Sequence, residues 1–315
     1  MPVIASGFVP PFGLGNGHVQ TILGALRPRK VDLIYDRERL ELPDGDFLDL
    51  DWVHAGNSRL AVLSHGLEGS SGDISTRGMA AFLRNEGWDV LAWNFRSCSG
   101  EANRLLRSYH SGETEDLGAV ITHAARRYSH LALVGFSLGG SVTLKYLGET
   151  PPHSAVRSAV AISVPVDLAS SARALDQRRG NWIYLRRFMK RLTVKVVAKA
   201  HRFPGQIDAT GALGIGSFQE FDDRYTARMH GFRDAEDYWT RCSSRPVLPN
   251  IGIPTLLLNA LNDPFLTEES FPVPEAECSE WLSLETPASG GHLGFQDWRG
   301  SWAERRVAEF LGISR

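Results

Sequence analysis

Leu131-Ala132-Leu133-Val134-Gly135-Phe136-Ser137-Leu138-Gly139-Gly140-Ser141-Val142-Thr143-Leu144-Lys145-Tyr146-Leu147 decides the architecture of this chain. Its first part is a short apolar run, as a buried parallel strand requires, and its last part has helical spacing. Between them, Gly135-x-Ser137-x-Gly139 places one serine in a strand-to-helix turn. Glycine on either side suits a turn too tight for side chains. A serine there projects at a helix N-terminus, where developing negative charge is stabilised. This is the context of a nucleophile elbow, and Ser137 is the candidate nucleophile. The rival reading is a phosphate-binding glycine loop. Against it, the GxGxxG spacing is missing, no Walker lysine follows, and the strand is not the first of the chain.

The same alternation continues outward. Runs rich in Val, Ile and Leu predict strands at 59–64, 89–94, 131–136, 156–164, 255–260 and 281–285. Helical periodicity marks 75–85, 113–128 and 138–147. Strands alternating with helices imply right-handed βαβ units and a mostly parallel sheet flanked by helices, an α/β fold. The more alternating stretch 33–54 fits antiparallel strands at the leading edge of the sheet. The rhythm stops between Asp167 and about Ser244. There Leu185, Phe188, Met189, Leu192 and Val196 recur at helical spacing instead. The expected organisation is an α/β core built from 1–166 and 245–315, with 167–244 inserted as a helical cap over the strand ends, where α/β active sites form.

Composition narrows the function. The 315 residues carry 34 Lys and Arg against 36 Asp and Glu, a net charge of −2 that gives no argument for nucleic-acid binding. A hydrophobic content of 43% excludes a disordered or collagen-like chain. A domain of this size buries about 75% of its unfolded surface and needs no metal or disulfide staple. Cys98, Cys242 and Cys278 form no CxxC pair, which argues against a disulfide framework or a thiolate zinc site and for a reducing compartment. No signal peptide is visible and no apolar run reaches about 18 residues, so a soluble cytoplasmic protein is expected. Within 170–202, ten Lys or Arg face one acid, Asp176, a local charge of +9, and an acidic stretch follows from Glu220 to Asp237. The plain reading is a solvated helix face paired with its acidic neighbour. The sharper one is peripheral membrane contact through a basic cap.

A nucleophilic serine needs a base and the base needs an orienting acid, in the chain order Ser, Asp or Glu, His. His292, in Ser289-Gly-Gly-His-Leu-Gly-Phe295, lies in a flexible loop after the last predicted strand. His201 ends the basic helical stretch and His230 sits in the polar part of the cap, neither after a strand. Asp263, in Leu258-Asn-Ala-Leu-Asn-Asp-Pro264, falls in the turn leaving the penultimate strand. It would hold the imidazole in its working tautomer. Alternatives are an ordinary Asx turn at that point, with Glu268 or Glu269 as the acid. Two backbone N–H groups complete the expected site as an oxyanion hole: that of Leu138, directly after the serine, and that of Leu67, in the loop Ser64-His65-Gly66-Leu67-Glu68. His65 reads as a loop brace. Cys98 has no glycine elbow and reads as an inert buried thiol.

At this point the chain resembles the YheT-like α/β-hydrolases, relatives of the eukaryotic α/β-hydrolase-domain lipases and esterases. The blocks that carry the resemblance run in order across nearly the whole chain. They are Asn16-Gly-His18-Val-Gln20-Thr21, His65-Gly-Leu-Glu-Gly-Ser70, Asn94-Phe-Arg96-Ser-Cys98-Ser-Gly100-Glu101, Tyr109-His-Ser-Gly112, Gly135-Phe-Ser-Leu-Gly-Gly140, Asn259-Ala-Leu-Asn-Asp-Pro264 and Gly290-Gly-His-Leu-Gly-Phe295. Ser97 is one departure, standing where glycine is expected. The resemblance implies the α/β-hydrolase fold, Ser137, Asp263 and His292 as a triad, and an esterase or lipase-like activity. His18, Gln20, Arg96, Asn103 and Tyr109 are polar loop residues that read as hydrogen-bonding braces of the site floor.

The expected reaction is two-step cleavage of a carboxylic ester through an acyl-serine. No cofactor and no metal is required. The expected partner is a small ester or lipid, with Trp182, Tyr184, Phe188 and Phe203 of the cap suggesting an apolar pocket. Two rival functions remain: an acyltransferase using the same triad with an alcohol in place of water, and a membrane-surface binding module using the basic cap. Oligomeric state is left open.

Overall fold

Residues 3–26 and 31–313 are described in a computed structural model of the chain. Residues 1–2, 27–30 and 314–315, which the two expected core ranges include, lie outside the described residues. The strands are β1 (Val3–Ile4), β2 (Asp36–Glu41), β3 (Phe47–Val53), β4 (Arg59–Ser64), β5 (Asp89–Trp93), β6 (His130–Phe136), β7 (Val156–Ile162), β8 (Thr255–Leu258) and β9 (Leu282–Glu285). The helices of the core are α1 (Gly17–Leu26), α2 (Ile74–Asn85), α3 (Thr114–Ala124) and α4 (Leu138–Glu149). Four more make the insertion: α5 (Leu168–Gln177), α6 (Trp182–Arg202), α7 (Phe218–Phe221), which runs through a π-helical turn into α8 (Ala227–His230), and α9 (Ala235–Cys242). Then come α10 (Val273–Glu277) and α11 (Trp302–Ile313).

The sheet order is β1-β9-β8-β7-β6-β4-β5-β3-β2. Every pair from β1 to β5 is parallel, and β3 and β2 add antiparallel to the far edge, as the alternation of 33–54 predicted. Period-two alternation sends Leu60, Val62, Leu131 and Leu133 to one face, against α3 and α4. It sends Ala61, Leu63, Ala132 and Val134 to the other, against α2 and α11. The two-residue strand β1 and helix α1 have no sequence signature strong enough to predict them.

Two features place the site. The chain leaves β4 for β5 on one side and then returns to β6 on the other, so the strand order switches direction between β4 and β6. A crevice opens at the carboxyl ends of strands at such a point. The predicted strands at 156–164 and 255–260 also end early, at Ile162 and Leu258. There the Asn259 side chain replaces the ladder, accepting from Val164 N–H (2.7 Å) and donating to Val164 O (3.0 Å). Among the described residues no strand of the sheet lies between β7 and β8. The helices α5 to α9 form a separate apolar cluster over the strand ends, a helical cap.

Candidate active site

Ser137 closes β6 and opens α4 with φ +51°, a left-handed conformation that a non-glycine residue adopts only under constraint. A Cβ at Gly139 would lie 2.2 Å from Ser64 O, so only glycine lets the start of α4 pass this close to the end of β4. Ser137 Oγ lies 3.0 Å from His292 Nε2, and His292 Nδ1 lies 2.8 Å from Asp263 Oδ2. The carboxylate accepts from Nδ1–H, which leaves Nε2 free to accept from the serine hydroxyl. Asp263 Oδ1 accepts from Phe265 N–H (2.9 Å), and the Phe265 ring lies 4.1 Å from the imidazole. The three residues read from three separate segments therefore meet. Glu268 and Glu269, the alternative acids, lie in a short 3₁₀ turn after this loop, and neither has a hydrogen bond to His292.

The loop after β4 approaches from the other side. A Cβ on Gly66 would stand 3.4 Å from Ser137 Cβ. Gly66 O accepts from Gly69 N–H (3.0 Å) and from His65 Nδ1 (2.8 Å). Gly66 C=O and Leu67 N–H share one planar trans peptide, so holding the carbonyl aims the N–H the opposite way. Among the described residues neither Leu67 N–H nor Leu138 N–H has a protein acceptor. His65 is fully buried, and burial pushes its pKa down to about 4. Its Nε2 accepts from Phe95 N–H (3.1 Å), so it braces the loop as a neutral ring.

The polar blocks without evident chemistry turn out to be supports. Gln20 spans to the far end of the chain, donating to Gln296 O (3.1 Å) and accepting from Gln296 N–H (2.8 Å). Thr21 Oγ1 accepts from His292 N–H (2.8 Å). A Cβ at Gly291 would stand 2.2 Å from Gly17 O, so α1 packs directly on the histidine loop. His18 Nδ1 meets Tyr184 of the cap at 3.1 Å. Arg96 pairs with Asp116, Asp44 and Asp46 in a buried cluster, and Asn103 donates to Asp46 and to the carbonyls of Leu105 and Arg107. Tyr109 is bonded to Glu68. Thr21 was not singled out by type or spacing, because its role depends on a contact with a loop 271 positions away.

One pocket joins these parts. Ser137, His292, Leu67 and Leu138 line it together with apolar side chains of the cap and of the Phe265 turn, including Phe188, Phe218 and Trp239. Of the four cap aromatics Trp182, Tyr184, Phe188 and Phe203, Phe188 alone lines the pocket. Trp182 is 61% exposed, because six helical positions turn it about 120° away from Phe188. Cys98 is buried, and burial pushes its thiol up to about 11, against a nucleophilic role. Among the described residues no His, Cys, Asp and Glu cluster suited to a metal ion occurs, and no helix is long and apolar enough to cross a membrane.

Comparison with known proteins shows the family. A profile of the alpha/beta hydrolase fold family matches residues 62–297. The chain is 35% identical to Escherichia coli (strain K12) YheT, provisionally named an esterase, over 96% of this chain and 92% of that one. It is 30% identical to Mus musculus phospholipase ABHD3 over 96% of this chain and 75% of the relative. Among solved structures, the Pyrococcus furiosus esterase Pf2001 aligns with a TM-score of 0.61 and 18% identity, covering 91% of this chain and 93% of that one, a likeness of fold.

Proposed function

From the premise that the chain belongs to the α/β-hydrolase fold family, in its YheT-like branch, we propose that it is a serine hydrolase of carboxylic esters. One observation carries the reading: the continuous hydrogen-bonded series Ser137 Oγ, His292 Nε2, His292 Nδ1 and Asp263 Oδ2 at the floor of an apolar pocket. Relatives named as esterase, phospholipase and monoacylglycerol lipase support an ester or lipid substrate.

In this reading Ser137 Oγ attacks the ester carbonyl as His292 Nε2 takes its proton. The oxyanion accepts hydrogen bonds from Leu67 N–H and Leu138 N–H. The tetrahedral intermediate collapses, the C–O bond to the alcohol breaks, and the leaving oxygen takes the proton from His292. Water, deprotonated by the same imidazole, then attacks the acyl-serine, releasing the acid and restoring the serine. Asp263 stabilises the imidazolium at each step. Residues 1–166 and 245–315 act as the hydrolase core and 167–244 as the cap that supplies the pocket roof. Hydrolysis of p-nitrophenyl acyl esters, from acetate to palmitate, tests the reading. Wild-type turnover should fall by several orders of magnitude in Ser137→Ala, and unchanged turnover in that variant would overturn the proposal.

The outer face of α6 favours a second, compatible reading. Trp182 and Ile183 are exposed beside Arg186, Arg187 and Lys190, a mixture of apolar and cationic groups suited to an anionic lipid surface. Sedimentation with phosphatidylserine vesicles should show binding that weakens in high salt, while no binding at low salt would remove this reading.

A further inference from the structure

The geometry points to Lys195 and Arg191, on the cap helix α6, as positioning residues for the oxyanion loop, acting through Glu68. The inference rests on the reading of Leu67 N–H as an oxyanion donor and goes beyond it: the loop that carries the donor is held in part by the cap.

Glu68 follows Leu67 directly and sits at φ +55°. A non-glycine residue stays in that region only when its surroundings impose it. Here the N–H, the carbonyl and one carboxylate oxygen of the residue are all held. Its N–H donates to Tyr109 Oη (2.8 Å), and the Tyr109 hydroxyl donates back to Glu68 Oε1 (2.8 Å). Lys195 Nζ donates to the same Oε1 (2.9 Å), and Arg191 Nη1 donates to Glu68 O (2.9 Å). The Glu68 side chain is 2% exposed, so its carboxylate has been taken out of water and given Lys195 as its counter-charge. Lys195 Nζ also lies 3.3 Å from the Cys98 sulfur.

These bonds have a directional consequence. Fixing the N–H of Glu68 fixes the plane of the peptide between Leu67 and Glu68, and fixing its carbonyl fixes the next plane. With Gly66 O already held, the three consecutive peptides around Leu67 are pinned, and the Leu67 N–H keeps one direction. Two contacts come from the insertion, Arg191 on the Glu68 carbonyl and Lys195 on its carboxylate, whereas Gly66 O and the Glu68 N–H are held by the core. Lifting α6 would remove both and leave the Glu68 carboxylate without its counter-charge. The seating of the cap and the setting of this loop are therefore coupled. This also accounts for part of the basic stretch. Lys199 and Arg202 bond the core loop as well, Lys199 to Leu105 O (2.8 Å) and Arg202 to Asn103 O (2.7 Å), so the inner cations of α6 are seated on core carbonyls.

Lys195→Met removes the ammonium and keeps the stem. The full-length variant should lose about 10²-fold in kcat on a p-nitrophenyl ester with KM little changed, the loss expected for one misplaced oxyanion donor. Lys195→Arg should recover most of it. Arg191→Met, at a more exposed position, should show a smaller loss in the same sense. Amide hydrogen exchange is the second arm: residues 67–69 should exchange at least about tenfold faster in Lys195→Met while β6 keeps its protection, the loss of the buried pair lowering Tm without loosening the sheet. Unchanged kcat, or unchanged protection of 67–69, would overturn the inference. So would a loss of rate matched by loss of protection throughout β6, which would mark a general structural role. If the wild type hydrolyses no ester through Ser137, the hydrolase reading fails, and the exchange arm still decides whether α6 holds this loop.

Discussion

Two loops flank the Ser137 hydroxyl, and they are held in different ways. The loop carrying His292 is fixed by neutral groups of the core: Thr21 Oγ1 on His292 N–H, Ser163 Oγ on Leu293 N–H (3.0 Å), Asn262 Oδ1 on Gly291 N–H (3.0 Å), and the reciprocal Gln20–Gln296 bonds. Its backbone is heavily constrained, with Leu293 at φ +60° and Phe295 at φ +43°. The loop carrying Leu67 is fixed by neutral core groups too, His65 and Gly69 on Gly66 O and Tyr109 on Glu68, but also by two charged side chains of the cap. A neutral, core-built brace holds the base in place whatever the cap does. A brace built partly from charged cap residues ties the proposed oxyanion donor to the seating of the cap. In the proposed reaction the base must exist before substrate arrives, whereas the donor is needed only once a carbonyl is in place.

The largest expected effect breaks the base side at its chemistry. His292→Ala should lower kcat by about 10⁴–10⁶-fold, and combining it with Ser137→Ala should cost little more, because the pair acts as a unit. Asp263→Ala should lose somewhat less, about 10⁴-fold. Near-full activity in that variant would hand the role of acid to Glu268 or Glu269. A smaller effect sharpens the contrast between the braces. Thr21→Val leaves the His292 N–H buried without an acceptor, which costs about 1–3 kcal/mol. Rate and Tm should therefore fall together, about tenfold and by several degrees. Lys195→Met leaves the Glu68 carboxylate buried without its counter-charge and should lower Tm as well, but its loss of exchange protection should centre on 67–69, whereas Thr21→Val should loosen the His292 loop. If both variants loosened the same residues, the division into a structural brace and a conditional one would be wrong.

Sequence exposed the parts of the site that sit at punctuation. Ser137, Asp263 and His292 each follow a predicted strand at a glycine- or proline-marked turn, and turn residues are local signals. The braces are not local. Thr21 and Gln20 act on a loop more than 270 residues away, and a lone threonine in a short helix gives no sign of it. The basic stretch was legible as a charge count but not as a direction. Its expected partner was the acidic stretch that follows, and Arg173 does pair with Glu236. The inward cations instead bond core carbonyls and Glu68, because helical rotation turns 191, 195, 199 and 202 to one side. Ser97 shows a similar limit. The expected glycine is absent, yet φ is +63°, held by the Ser97 hydroxyl, which donates to Asn103 Oδ1 (2.6 Å) and accepts from Asn103 N–H (3.0 Å).

A last effect, read in stability against pH rather than in rate, returns to the cap, whose interior holds the carboxylate of Asp222 with no cation paired to it among the described residues. Core carboxylates such as Asp51 are desolvated too, but Arg37, Ser71 and Asn94 bond Asp51 and hold it below its usual range. Asp222, inside the cap, accepts among the described residues from Thr226 Oγ1 (2.6 Å) and Trp239 Nε1 (2.8 Å) alone, and burial pushes it up to about 7. Its folded value is thus raised above the unfolded one of about 4, so between them the folded state binds more protons. Its contribution to stability is complete below about pH 4 and is lost as pH rises through about 7. Asp222→Asn cannot titrate, and its amide NH₂ cannot accept from one of the two donors. The variant should be less stable than wild type at pH 4, and the gap should narrow by pH 8. Thermal melts of both proteins across that range check it. A gap that stays constant would mean that Asp222 holds one protonation state throughout, and that the cap interior is no more pH-sensitive than the core beneath it.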